Sequence, residues 1–229
     1  MKNLIHRYAT QFTDKRFIVS LATSLALLVG SLIANYYAVT YAVERVSNPV
    51  TDIVLSNIPV FDVNWFFTYG AIIFWAIIIF ICLSDPKKLP FMLKTVALFV
   101  VVRSLFITLT HIGPYPDQLP LGPNGTNFFD DFGYLINTFL SSLFTSSADQ
   151  FFSGHTGLPF LLALIFWNDQ QTRFFCLASA VFFGAIVLMG HLHYSIDVIA
   201  AFFITYSIYH IAEKAFARDR ANFFGKSVS

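Results

Sequence analysis

The stretch FIVSLATSLALLVGSLIANYYAV, residues 17–39, runs without one charged side chain, and it decides the architecture of the rest of the chain. Hydrocarbon about 30 Å thick asks for roughly 20 apolar residues in helical form, and this stretch supplies them. Lys15 and Arg16 stand just before it, as in a secretory leader. The apolar run is longer than a leader's, however, and no convincing small-residue cleavage site follows. It is therefore expected to be a retained first transmembrane span. Working outward, comparable runs occupy 65–83, 91–109, 151–167, 174–190 and 194–212. The run at 151–167 is the least regular, because it opens with Ser153, Gly154 and His155 and contains Pro159.

Composition agrees with this reading. The chain is 56% hydrophobic and 12% charged, with mean hydropathy +0.66, whereas soluble domains carry about 25% charged residues. A water-soluble globular domain is excluded. Its 28 phenylalanines suit lipid contact and helix interfaces alike. A net charge of +1 does not describe a nucleic-acid partner, and none is expected. Cys82 and Cys176 both lie in apolar runs, so no disulfide framework is expected, and two thiols are too few for a thiolate metal centre.

The short loops set an orientation, because Lys and Arg gather on the cytoplasmic side. Lys2, Arg7, Lys15 and Arg16 precede the first span, Lys87 and Lys88 follow the second, and Arg173 follows the fourth. Lys214, Arg218, Arg220 and Lys226 lie in the tail. The opposite side carries Arg45 amid Glu44, Asp52, Asp62, Asp117, Asp130, Asp131 and Asp149. The asymmetry holds at every loop when there are six spans with both termini cytoplasmic. The expected fold is thus an all-α polytopic bundle of six transmembrane helices forming one membrane domain over 1–229.

The longest connection, 110–150, falls on the outer side. Its first half is turn-rich, with Gly113, Pro114, Pro116, Pro120, Gly122, Pro123 and Gly125. Its second half sets Phe132, Leu135, Ile136, Phe139, Leu143 and Phe144 at helical spacing. A short amphipathic interfacial helix is expected over 128–144. Asn124-Gly125-Thr126 forms a glycosylation sequon on the outer side.

Ionisable groups at membrane depth are costly and call for a partner or a purpose. His155 opens the fourth span and His193 opens the sixth, with Asp197 four residues on. That spacing brings His193 and Asp197 within reach of each other. A carboxylate at one imidazole nitrogen fixes the tautomer and raises the basicity of the other. The second nitrogen can then attack phosphorus while the opposed His155 moves a proton. Singly, such a histidine is more often a satisfied helix-end residue. Two histidines from different spans converging with an aspartate on one side point further.

Phe152-Ser153-Gly154-His155-Thr156 and His193-Tyr194-Ser195-Ile196-Asp197-Val198 resemble the third and fourth signature motifs of the sphingomyelin synthase branch of the type 2 phosphatidic acid phosphatase superfamily. Ala201-Phe202-Phe203-Ile204-Thr205 resembles the apolar continuation of the last motif. Asp149 stands where an acidic residue precedes the family's Ser-Gly-His-Thr. Arg103 to Thr110, running on to Pro114 and Pro116, resembles the second motif. The likeness spans roughly 60–215, weakly before Arg103. Two departures stand out. Val187 occupies the place where the phosphatase branch carries an arginine six residues before its nucleophilic histidine. The first motif is only loosely matched by Asn57-Ile58-Pro59-Val60-Phe61-Asp62.

The resemblance implies a catalytic core at about 91–215, with cytoplasmic segments at 1–16 and 214–229. It implies a phosphohistidine mechanism in which His193 is the nucleophile, Asp197 orients it, and His155 is the acid and then the base. Arg103, Asp149 and His191 are the expected substrate-binding residues. For Arg103 the alternative is snorkelling to the outer interface, and for Asp149 it is capping the fourth helix. His111 and His210 are read as structural. Neither metal nor cofactor is expected; the implied partners are membrane lipids as donor and acceptor, and a homo-oligomer is compatible with such a bundle. The implied activity is transfer of a phosphocholine- or phosphoethanolamine-like head group from a glycerophospholipid to ceramide or diacylglycerol, at the exoplasmic or lumenal face. A lipid phosphatase using water as acceptor is the nearest alternative, and a non-catalytic transporter or scaffold the next.

Overall fold

The computed structural model describes residues 8–119 and 151–225. Among these residues there is no strand. In chain order the helices are α1 (Lys15–Val43), α2 (Asn64–Leu83), α3 (Leu89–Thr110), α4 (Gly154–Ile165), α5 (Gln170–Met189), α6 (Ser195–Ala215) and α7 (Ala217–Phe223). Short 3-10 turns occupy Leu55–Asn57 and Pro86–Lys88. Five of these helices are long and apolar enough to cross a membrane: α1, α2, α3, α5 and α6. The interfacial helix expected over 128–144 and the sequon at Asn124 lie outside the described residues.

The expected fourth span, 151–167, differs from the others. Only Gly154–Ile165 is helical, 12 residues, or about 18 Å of rise. That is well short of the hydrocarbon thickness, a length more usual for a buried core helix. Local chemistry sets both ends. Ser153 caps the start, its side chain accepting from the Thr156 N–H at 3.4 Å. At the other end Phe166 leaves helical geometry (φ −92, ψ 25). Asp169 then opens α5, accepting from the Thr172 N–H at 3.3 Å and its hydroxyl at 2.8 Å. That cap starts the fifth span one turn earlier than hydropathy places it.

Helix packing follows small side chains. The most extensive pairing joins α1 and α3, where α1 buries Ser24, Ser31, Asn35, Ala38 and Ala42 on one face. Between lipid-soluble helices such residues let backbones approach closely, and the Ser104 hydroxyl reaches Asn35 Oδ1 at 3.2 Å. At the centre, α4 packs against α3, α5 and α6, with Leu161, Leu162 and Ile165 fully buried. Gly157 sits at the closest approach. A Cβ there would lie 2.8 Å from the Phe99 ring and 2.9 Å from Thr205 Oγ1.

The bundle has two chemically different ends. At one, Lys94 pairs with Asp219 at 2.6 Å, Ser20 bonds the same carboxylate, and the Tyr8 hydroxyl donates to the Leu83 carbonyl at 2.8 Å. Both described chain ends therefore meet there. At the other end, outer segments fold over the α5–α6 connection. The Phe61 N–H donates to the Met189 carbonyl at 2.9 Å and the Leu119 N–H to the Gly190 carbonyl at 3.0 Å.

Gly157→Ala should lower stability by about 1–3 kcal/mol through overpacking. Gly30→Ala, at a position with nothing within 4 Å, should be neutral or slightly stabilising through helix propensity. Thermal unfolding of both variants in one detergent checks the contrast, and equal midpoints would contradict the α3–α4–α6 packing.

Candidate active site

Helix α6 begins with a Tyr194 N-cap in extended geometry (φ −70, ψ 155). Its first turn would leave N–H groups without partners, and Asp197 supplies one acceptor. Oδ2 of Asp197 takes the Tyr194 N–H at 3.0 Å, and the same oxygen lies 3.4 Å from His193 Nδ1. Carboxylate and imidazole are 0% and 2% exposed. The expected spacing-of-four contact is present, but His193 lies just before the helix, so the contact is made across the cap instead of along a helix face. With a carboxylate at Nδ1, that nitrogen carries the proton and Nε2 keeps the lone pair.

His155 stands in the first turn of α4. Its ring packs 4.4 Å from the Phe67 centroid and 6.4 Å from that of Phe183. It lines a cavity of about 30 Å³ with Ala71, Phe74, Trp75 and Pro159, and its Nδ1 has no hydrogen-bond partner among the described residues. The Ser153 N–H donates to the Asp197 carbonyl at 3.2 Å, tying the start of α4 to the first turn of α6. The first turn of α4, which carries His155, is thereby held beside the first turn of α6, which follows His193.

Arg103 completes the group. It is 1% exposed and turned into the bundle, so it does not snorkel outward. Its Nε donates to the Phe152 carbonyl at 3.0 Å. The guanidinium lies against Gly154, where a Cβ would come 3.2 Å from Nε and 3.4 Å from Cζ. A fixed cation, two imidazoles and a carboxylate thus meet at one end of the bundle, contributed by α3, α4 and the start of α6.

The remaining expected site residues separate. His191 is 3% exposed and left-handed (φ 53), its ring edge-on to Tyr115 at 5.1 Å; it packs under the 111–119 segment. Asp149 lies outside the described residues, and the cap considered for it on the fourth helix is made by Ser153. His111 ends α3 in left-handed geometry (φ 49), and His210 pairs with Glu213 at 2.7 Å.

Sequence reasoning missed Tyr194 and Asp52. The Tyr194 hydroxyl donates to the Gly113 carbonyl at 2.9 Å and accepts from the Val50 N–H at 3.2 Å. Asp52, 7% exposed, accepts from Val54 and Leu55 N–H through Oδ1 at 2.8 and 3.1 Å, and from the Ser195 N–H through Oδ2 at 2.6 Å. An acidic residue in a turn after Pro49 signals a cap, but its partner at Ser195 is not legible locally.

A helical membrane bundle with a buried histidine–aspartate pair, a second histidine and an arginine gathered at one end is the class that fold and site define. Residues 147–214 match the family model described as PAP2 superfamily C-terminal. The match supports the PAP2 superfamily and, with it, a lipid phosphatase or phosphotransferase. It takes in His155, His191, His193 and Asp197, while Arg103 and Asp52 fall outside it. No curated protein and no solved structure gives a significant match.

Burial works to raise the Asp52 pKa, but the N–H groups of Ser195, Leu55 and Val54 outweigh it and hold the carboxyl below its ordinary 3.8. Because the folded value is depressed, the carboxylate stabilises the fold above the unfolded value, and that contribution is lost as pH falls through the folded one. Acidification below about pH 4 should therefore lower the melting temperature of wild type more than that of Asp52→Asn, as pH-dependent thermal unfolding would record.

Proposed function

We propose that this chain is a membrane lipid phosphotransferase resembling sphingomyelin synthase. It moves a phosphocholine- or phosphoethanolamine-like head group from a glycerophospholipid to a lipid alcohol such as ceramide or diacylglycerol. The observation that carries this reading is the meeting of the buried His193–Asp197 pair and Arg103 with the half-buried His155 at one end of the bundle.

In the proposed reaction the His193 Nε2 lone pair attacks the phosphorus of the donor phosphodiester. The bond from phosphorus to the diacylglycerol oxygen breaks, and protonated His155 gives its proton to that oxygen. The negative phosphodiester itself favours the imidazolium form of His155. In the second half an acceptor hydroxyl attacks phosphohistidine, neutral His155 takes the hydroxyl proton, and the N–P bond breaks to restore His193. Asp197 holds Nδ1–H and stabilises the positive charge of the phosphorylated ring. Arg103 offsets the negative charge that develops on the phosphoryl oxygens, a term that is usually large when the donor is fixed in advance.

Position supports the lipid substrate. The group lies at a helix end, and we read the distribution of Lys and Arg as setting that end at head-group level on the exoplasmic or lumenal side, with both termini cytoplasmic. A phosphatase using water as acceptor shares every group named. Val187 weighs toward transfer: it stands where the phosphatase branch carries its arginine, and it is fully buried among Val63, Phe67 and Leu192. An arginine could not occupy that place without burying its charge in an apolar cluster.

Incubating the purified protein with head-group-labelled phospholipid, with and without ceramide or diacylglycerol, should move label onto the added alcohol. Water-soluble label independent of any acceptor would favour the phosphatase instead. His193→Ala should lose about 10³-fold or more of this turnover, and His155→Ala about 10²- to 10⁴-fold. Acid-labile, base-stable phosphoenzyme should form with wild type and be absent from His193→Ala.

A further inference from the structure

We propose that Asp52, in the segment between α1 and α2, is a positioning residue for His193, an inference that rests on the proposed role of that histidine. Two carboxylates divide the N-terminal donors of α6. Asp197 takes the Tyr194 N–H and Asp52 takes the next one along, from Ser195, at 3.0 and 2.6 Å. Asp52 is itself held from behind, because its Oδ1 accepts from Val54 and Leu55. It is a strut fixed at both ends. The Val50 N–H donates to the Tyr194 hydroxyl at 3.2 Å, so the same segment grips the cap residue as well.

The consequence for His193 comes from competition for acceptors. The Ser195 N–H sits at the positive end of the α6 dipole and cannot be left unpaired there without cost. If Asp52 were neutral or absent, the nearest other carboxylate on that turn is Asp197. Its Oδ1 has no hydrogen-bond partner among the described residues, so the group can swing toward Ser195. Rotation that way draws Oδ2 from His193 Nδ1, a contact already at 3.4 Å. The imidazole would then lose the restraint that sets its tautomer and aims Nε2 at phosphorus. Asp52 thus keeps Asp197 committed to the histidine, through a segment 143 residues distant in sequence.

Three variants test this in the full-length protein. Asp52→Asn removes the charge with little change in shape. Ser195→Pro removes the donated N–H at the first helical position, where proline is well tolerated, and Tyr194 already has the extended geometry that a following proline requires. The double variant completes the cycle. With labelled phospholipid as the probe, Asp52→Asn should lower kcat and the single-turnover rate of phosphohistidine formation by about 10- to 100-fold, whereas Ser195→Pro, which leaves no N–H to compete for Asp197, should stay within about threefold of wild type. KM should stay within about threefold and the folded fraction should not change. The double variant should recover most of the Asp52→Asn loss, since the N–H that would draw Asp197 away is gone.

The proposal is overturned if kcat of Asp52→Asn stays within about twofold of wild type, if its loss merely tracks loss of folded protein, or if Ser195→Pro fails to restore it. His193→Ala run in parallel separates this from the reading beneath it. Retained turnover there removes the nucleophile assignment itself, whereas an inactive His193→Ala beside an unaffected Asp52→Asn removes the positioning role alone.

Discussion

The constraint on which the site depends is the burial of the Asp197 carboxylate at the first turn of α6. A 0% exposed carboxylate beside an apolar bundle must be met by donors in place, because little water can reach it. Oδ2 meets the Tyr194 N–H and His193 Nδ1, and the dipole of α6 adds a favourable field. One oxygen therefore caps a helix and orients an imidazole at once. Helix formation and His193 orientation are coupled by that shared atom, so a change that loosens the cap is felt at the ring.

The short α4 is the second element of the design. Because the helix starts only at Gly154, with Ser153 as its cap, His155 is carried at the depth of Arg103 instead of at the far rim. Gly154 and Gly157 make this possible from two sides: the first admits the Arg103 guanidinium and the second admits Phe99 and Thr205. A buried guanidinium needs acceptors, and the Phe152 carbonyl just before the helix supplies one. The same residues that shorten α4 thus create the place where its charged neighbour is held.

Polarity divides between the two ends of the bundle. The end where both described termini meet is locked by Lys94, Asp219 and Ser20, which join α3, the C-terminal α7 and α1. The site end is closed by backbone of the 47–61 and 111–119 segments laid over 189–195. Between them the helices meet through small or apolar side chains. Among the described residues, the buried charges lie toward these two ends, where side-chain and backbone partners meet them.

Much of this was legible in the sequence because the properties concerned are local. Hydropathy and length mark a helix that must lie in hydrocarbon, and runs such as 17–39 and 174–190 declare themselves without reference to any neighbour. The nearness of His193 and Asp197 is likewise a matter of four residues of backbone. Tertiary structure alone decided the rest. It set the Arg103 guanidinium against Gly154 at the start of α4, a contact that the local Ser153 cap does not announce. It turned Arg103 inward, where hydropathy allows snorkelling equally well. It joined Asp52 to Ser195, because a hydrogen bond between segments so distant exists only after helix packing has brought α1, α2 and α6 to one end. Periodicity and propensity are written residue by residue, but the partner of a buried charge depends on which helices share an interface.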